Sequence, residues 1–133
     1  MSLLIDQLAA YLQAQGEVTV GADLFCLHRP ASPLACVSLH ATGGYPPDRY
    51  TEREHPTVML FARAATPGEA LRKAYRLRRA LHLKQNVDLG GGLWALTIEA
   101  MASPAYVGTE QVPEGLGHLA SFNLLFDLRR PSS

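Results

Sequence analysis

With only two cysteines in 133 residues, the chain has no disulfide framework, and at this length a single packed core suffices to hold it together. Net charge is missing as well. Twelve acidic residues balance twelve basic ones, so no overall field draws the protein to nucleic acid or to an anionic membrane, and any polyanion site has to be local. No apolar run approaches the roughly 20 residues of a membrane helix. The first residues hold no basic segment, and Asp6 interrupts their apolar stretch, which argues against a secretory signal. A soluble protein made in the cytoplasm is expected. Nucleophile motifs such as Gly-x-Ser-x-Gly are absent, and His55, His82 and His118 have no serine or acid beside them in such a motif. Gly90-Gly-Gly92 follows a helical pattern and precedes a strand pattern, the reverse of the order a phosphate loop needs.

What is present is a long, stiff connection. Thr42-Gly-Gly-Tyr-Pro-Pro-Asp-Arg-Tyr-Thr-Glu-Arg-Glu-His-Pro56 separates two apolar runs, residues 34–41 and 57–64. Gly43 and Gly44 permit a sharp turn, and Pro46 and Pro47 impose an extended path without backbone donors. The charged residues that follow keep the outer half of the connection in water. An irregular link of about fourteen residues is long where about 4–6 is usual, which marks residues 42–56 as a presented loop.

Around that loop the periodicities are clear. Leu4, Leu8, Tyr11 and Leu12 share a helical face, with Ser2 as the expected N-cap and Gly16 as the stop. Residues 24–28 and the run from Leu34 read as strands, and the short proline-bounded link at residues 29–33 favours an antiparallel hairpin over a crossover. The run at 57–64 is apolar on both faces, as in a central strand. Thr66-Pro-Gly-Glu69 opens a second helix running to about Leu83, with Thr66 as N-cap and Pro67 at its first position. Ala70, Ala74, Leu77 and Leu81 form its apolar face; Arg72, Arg76 and Arg79 form a stripe on the other, flanked by Lys73 and Arg78. Residues 93–101 alternate with Trp94, Leu96 and Ile98 on one side. Residues 105–110 are a partner strand, 112–117 a loop, and 118–129 the clearest strand, with Ala120, Phe122, Leu124, Phe126 and Leu128 facing one way. The expected architecture is a single α+β domain over residues 1–133, a mainly antiparallel or mixed sheet with two helices packed on one face.

The order of an apolar strand, Thr42-Gly-Gly-Tyr-Pro-Pro-Asp48, a charged spacer, Pro56-Thr-Val58 and a second strand resembles the small tail terminator proteins of tailed bacteriophages, some known as minor capsid proteins. The resemblance extends to the helix before the motif and to the basic helix and strands after it. It implies a structural virion protein with no catalytic, cofactor or metal residues. It also implies a hexameric ring at the head-proximal end of the tail, assembled in the host cytoplasm, which caps the tube, stops its polymerisation and receives the head connector. Its partners are then further copies of the chain, the major tail tube protein and the head–tail connector protein. No membrane is involved, and nucleic acid enters only as the genome passing through the ring. The candidate assembly residues are Gly43, Gly44, Tyr45, Pro46, Pro47, Asp48 and Arg49 in the loop and Arg72, Arg76 and Arg79 on the helix.

Two other functions compete. Half of the twelve cationic residues fall between Arg72 and Lys84, which fits a small nucleic-acid-binding domain using the helix of residues 70–84, or else a merely solvated helix face. If residues 29–33 turn a hairpin, Cys26 and Cys36 come opposite one another with His28 and His40 on the same faces, the outline of a metal site. The ligand spacings do not match the two-residue knuckles of zinc sites, so packing of free thiols is the expectation.

Overall fold

The computed structural model describes residues 3–46 and 53–129. Its elements run α1 (Leu4–Ala14), β1 (Leu24–Cys26), β2 (Cys36–Ala41), β3 (Arg53–Glu54), β4 (Thr57–Ala64), α2 (Pro67–Leu81), β5 (Lys84–Gly90), β6 (Leu93–Ala100), β7 (Ala105–Val112) and β8 (Gly115–Arg129). The sheet is built around β8. Its main path is β1-β2-β4-β8-β6-β5, with β3 and β7 also paired to β8. Because β4 pairs with residues 118–125 of β8 while β7 and β6 pair with 115–121 and 124–129, β4 and β3 occupy one edge of β8, and β7 and β6 the other.

All of these pairings are antiparallel except one. β1 runs parallel to β2, in the register Leu24↔Val37 to Cys26↔Leu39, so the expected hairpin at residues 29–33 is not there. A crossover of a dozen residues is the rule for strands of ordinary length, whereas β1 has three residues and spans about 10 Å. The nine residues between β1 and β2 reach back that far with slack. The sheet is therefore mixed. It curls into a half-barrel, since α1 packs against both β1 and β5, the two ends of the strand order.

The clearest patterns hold. Val58, Leu60 and Ala62 of β4 are buried, as are Ala120, Phe122, Leu124, Phe126 and Leu128 of β8. The helices insert Ile5, Leu8 and Leu12, and Ala70, Ala74, Leu77 and Leu81, into the same cluster. Each fully buried Leu or Phe side chain contributes about 1.5–3 kcal/mol. At α2, Thr66 Oγ1 accepts a hydrogen bond from the Glu69 N–H at 3.2 Å, with Pro67 following the cap. The helix stops at Leu81, short of Leu83, whose φ of 60° lies outside helical space. At α1 the N-cap is Leu3, without a side-chain bond; Ser2 lies outside the described residues.

One strand has no counterpart among the expectations from sequence, and three local expectations are corrected. Residues 84–90, rich in Lys, Gln, Asn and Asp, form the edge strand β5 against β6, because an edge strand can be polar on both faces. Residues 115–117 belong to β8 and residues 111–112 to β7, so the predicted loop shrinks to Pro113 and Glu114. Trp94 does not share the buried face of Ile98. A register shift between Ala95 and Thr97 inverts the alternation, burying Leu93 and Ala95 before it and Ile98 and Ala100 after it, and leaving Trp94 40% exposed. Finally, the connection at 42–56 is less irregular than its composition suggests, since Arg53–Glu54 is the strand β3.

Candidate functional site

The loop leaves the sheet through a paired neck. Thr42 and Thr57 are joined by a backbone bond of 3.1 Å and by their hydroxyls at 2.6 Å, and the Tyr45 N–H donates to the His55 carbonyl at 2.9 Å. Gly44 makes the neck possible. At φ +115°, a Cβ there would stand 2.4 Å from the His55 oxygen and 2.6 Å from Pro56 Cα, so only glycine fits between the two arms. Gly43 also has positive φ but faces open space. Tyr45 is exposed beside a shallow groove of about 330 Å³ shared with Met59, Met101 and Asn123. Pro47, Asp48 and Arg49 lie outside the described residues.

The returning arm is fastened by charge. Arg53 grips the Asp127 carboxylate with two nitrogens, Nε at 3.0 Å, while its backbone pairs with Arg129 of β8. From the residue string, the charged half of the loop has nothing to anchor it; the partner is 74 residues away and invisible to local pattern.

The second candidate surface is α2. Arg72, Arg76 and Arg79 are exposed, and Lys73 and Arg78 partly so, as the helical spacing predicts. The loop residues and the arginines line different pockets. Arg72, Lys73 and Arg76 line a cleft of about 290 Å³ with Asp23, Val37, Ala64 and Glu69. Lys73 Nζ donates to the Glu17 carbonyl at 2.8 Å, tying α2 to the segment that follows α1.

The cysteine–histidine outline dissolves in the fold. Parallel pairing sets Cys26 beside Leu39, and Cys36 lies against Arg63. His28 Nδ1 contacts the Cys26 carbonyl and His40 Nε2 the Ser38 hydroxyl, each at 3.0 Å. Burial pushes both thiols above their ordinary pKa, the reverse of what a nucleophile or metal ligand needs at neutral pH.

Sequence patterns also miss a buried ionic clip. Arg63, 2% exposed near the end of β4, donates Nε to the Leu34 carbonyl at 2.8 Å and its second terminal nitrogen to the carbonyls of Pro30 and Pro33 at 2.5 and 3.0 Å. Its remaining nitrogen holds Glu110 of β7, which Arg29 grips from the other side at 2.7 Å, with the Arg29 guanidinium 4.9 Å above the Phe61 ring. Glu114, in the turn between β7 and β8, accepts from the Ser32 hydroxyl and the Leu34 N–H. The clip binds the β1–β2 connection to the β7–β8 hairpin and so replaces the tight hairpin that the proline-bounded link predicted. The only signal in the residue string is an arginine inside an otherwise apolar strand.

A family model described as bacteriophage tail terminator protein matches residues 11–112, from within α1 to the end of β7. No curated protein matches the chain.

Proposed function

Starting from the chain's membership of the bacteriophage tail terminator family, structural proteins of phage tail assembly carried in the virion's tail, we propose that six copies close into a ring on the head-proximal end of the tail tube. The ring halts polymerisation of the major tail tube protein and offers the docking surface for the head–tail connector, with the genome passing through its centre. Assembly takes place in the host cytoplasm.

The observation that carries this is the family match across more than half of the chain. The surfaces support it. A ring that meets both a tube and a connector needs unlike surfaces on each subunit; the neck of Gly43, Gly44, Tyr45 and Pro46 is one available to neighbouring copies, and the arginine face of α2 is another, available to a partner protein. The neck is held in a fixed geometry by Thr42–Thr57 and Arg53–Asp127, which lowers the ordering cost of whatever docks on it. The test is complementation of a phage lacking this gene, with tail length measured by electron microscopy and subunits counted at the head-proximal end. Uniform tails bearing a sixfold ring are expected. Uniform tails with a different count would overturn the ring, and uniform tails without the protein would overturn the terminator role.

The arginine row of residues 70–84 also supports a second function, a small nucleic-acid-binding domain. Binding to duplex DNA that falls steeply with salt would favour it.

A further inference from the structure

The protein neutralises its arginines selectively. Arg29, Arg53 and Arg63 each hold a carboxylate. Among the described residues, the side chains of Arg72, Arg76 and Arg79 make no hydrogen bond or ion pair, and Arg78 Nε is buried without a partner. The Arg72 guanidinium folds back over Gly68, its nitrogens 3.2 and 3.5 Å from where a Cβ would stand. This puts a cation against the first turn of α2, where the helix dipole is already positive, and Glu69 in that turn forms no ion pair with it. No ion pair among the described residues neutralises these cations, and the positive field at the cleft is offset only in part by the nearby carboxylates of Asp23 and Glu69.

Three features decide between the anions such a field attracts. The cations line a concave cleft, which admits a protruding side chain more readily than the convex backbone of a duplex. Asp23 and Glu69 stand in the same wall, so the cleft is mixed in charge, and its volume of about 290 Å³ suits a single carboxylate side chain better than a run of phosphates. Tyr75, 46% exposed, lies three residues from Arg72 and four from Arg79, so it shares their face. Exposed tyrosine among arginines is the composition of protein-binding hot spots.

We propose that this face of α2 docks an acidic surface of a different protein, with an Asp or Glu side chain entering the cleft between Arg72, Lys73 and Arg76, and Tyr75 and Arg79 packing around it. A second copy of the chain is a poor match. Among the described residues, its exposed carboxylates outside α2 itself, Asp6, Asp88, Glu99 and Glu114, are scattered over α1, β5, β6 and the β7–β8 turn, with Asp88 capping the Gly90 N–H and Glu114 held by Ser32 and Leu34. The inference rests on the tail-assembly reading only for the role of the partner.

The experiment uses the full chain, a labelled oligoglutamate peptide and a DNA duplex of similar charge, followed by fluorescence anisotropy, with the mass of the protein measured by sedimentation. Oligoglutamate is expected to bind more tightly than the duplex. The exposed double variant R72Q/R76Q should weaken peptide binding about tenfold, while K84Q/R129Q leaves it unchanged. Tighter binding of the duplex, lost in R72Q/R76Q, would make the face a nucleic-acid site. A change of oligomeric mass in R72Q/R76Q without loss of peptide affinity would make it a contact between copies. Absence of peptide binding, or equal loss in both double variants, also overturns the proposal. None of these readouts depends on tail length, so failure here is separable from failure of the terminator role.

Discussion

Arg63 on β4 reaches Glu110 on β7 by passing over Gly117 of β8, the strand that lies between them. A Cβ on Gly117 would stand 2.7 Å from Arg63 Cδ and 2.8 Å from Cγ, so the glycine is the gap through which the stem of the arginine crosses the sheet. Four acceptors fix the guanidinium at the far side.

Arg63→Ala should cost about 3 kcal/mol in denaturant unfolding, since it leaves three carbonyls without their donor on the arginine's buried side and leaves Glu110 to Arg29 alone. Arg63→Lys should recover little of this, because an ammonium cannot reproduce the planar fork. A variant melting like the parent protein would show that the clip is dispensable.

Gly117→Ala should cost about 1–3 kcal/mol through overpacking against an arginine that cannot move aside. Its combination with Arg63→Ala should cost less than the sum of the two. Additive losses in a double-mutant cycle would mean that the Cβ clash is relieved elsewhere.

Acid should open the clip before it opens the core. The hydrogen bond from Arg29 holds the Glu110 carboxyl below its ordinary range, and the Ser32 hydroxyl and Leu34 N–H do the same for Glu114. For carboxyls with depressed folded values, the stabilisation is present above the unfolded pKa, about 4.3, and is lost as pH falls through the folded values. Burial also lowers the pKa of His40 in the fold, so stability should first ease down as pH falls below the unfolded histidine value of about 6.5, and the loss from the two carboxyls should follow below about 4.3. The Glu110→Gln variant should flatten that decline, which urea unfolding across the acid range measures.

Gly44→Ala should be more damaging than Gly43→Ala. Both lose a positive φ, worth about 1–2 kcal/mol, but only Gly44 also meets backbone atoms of the opposite arm. Equal melting temperatures for the two variants would contradict the close approach at the neck.

Replacing residues 48–52 with glycines should leave the melt nearly unchanged, since long surface loops contribute little to stability. Extending the replacement through Arg53 and Glu54 should lower it by about 1 kcal/mol, as the partly exposed Arg53–Asp127 pair and the β3 pairing are lost. Both variants are expected to give tails of irregular length in complementation. Normal tails would reduce the loop to a passive connection.

The residue string by itself determined the elements whose local signals agree: the capped start of α2 at Thr66-Pro67, its apolar and arginine faces, and the two-sided apolar strand β4. The same holds for the long alternation of β8 and for the turn-forming glycines of the neck. Helical and strand periodicities are short-range properties, and the side chains that set them act within a turn or a pleat. The tertiary structure decided what depends on distant partners. The parallel course of β1 follows from how little chain the strand needs to retrace, and the bulge that exposes Trp94 from the register of β6 on β8. Polar β5 becomes a strand because β6 offers it hydrogen bonds. The ion pairs Arg63–Glu110 and Arg53–Asp127 join residues 47 and 74 apart. No pattern of apolar spacing encodes such pairs, because a charge finds its partner only after the sheet has brought the two together.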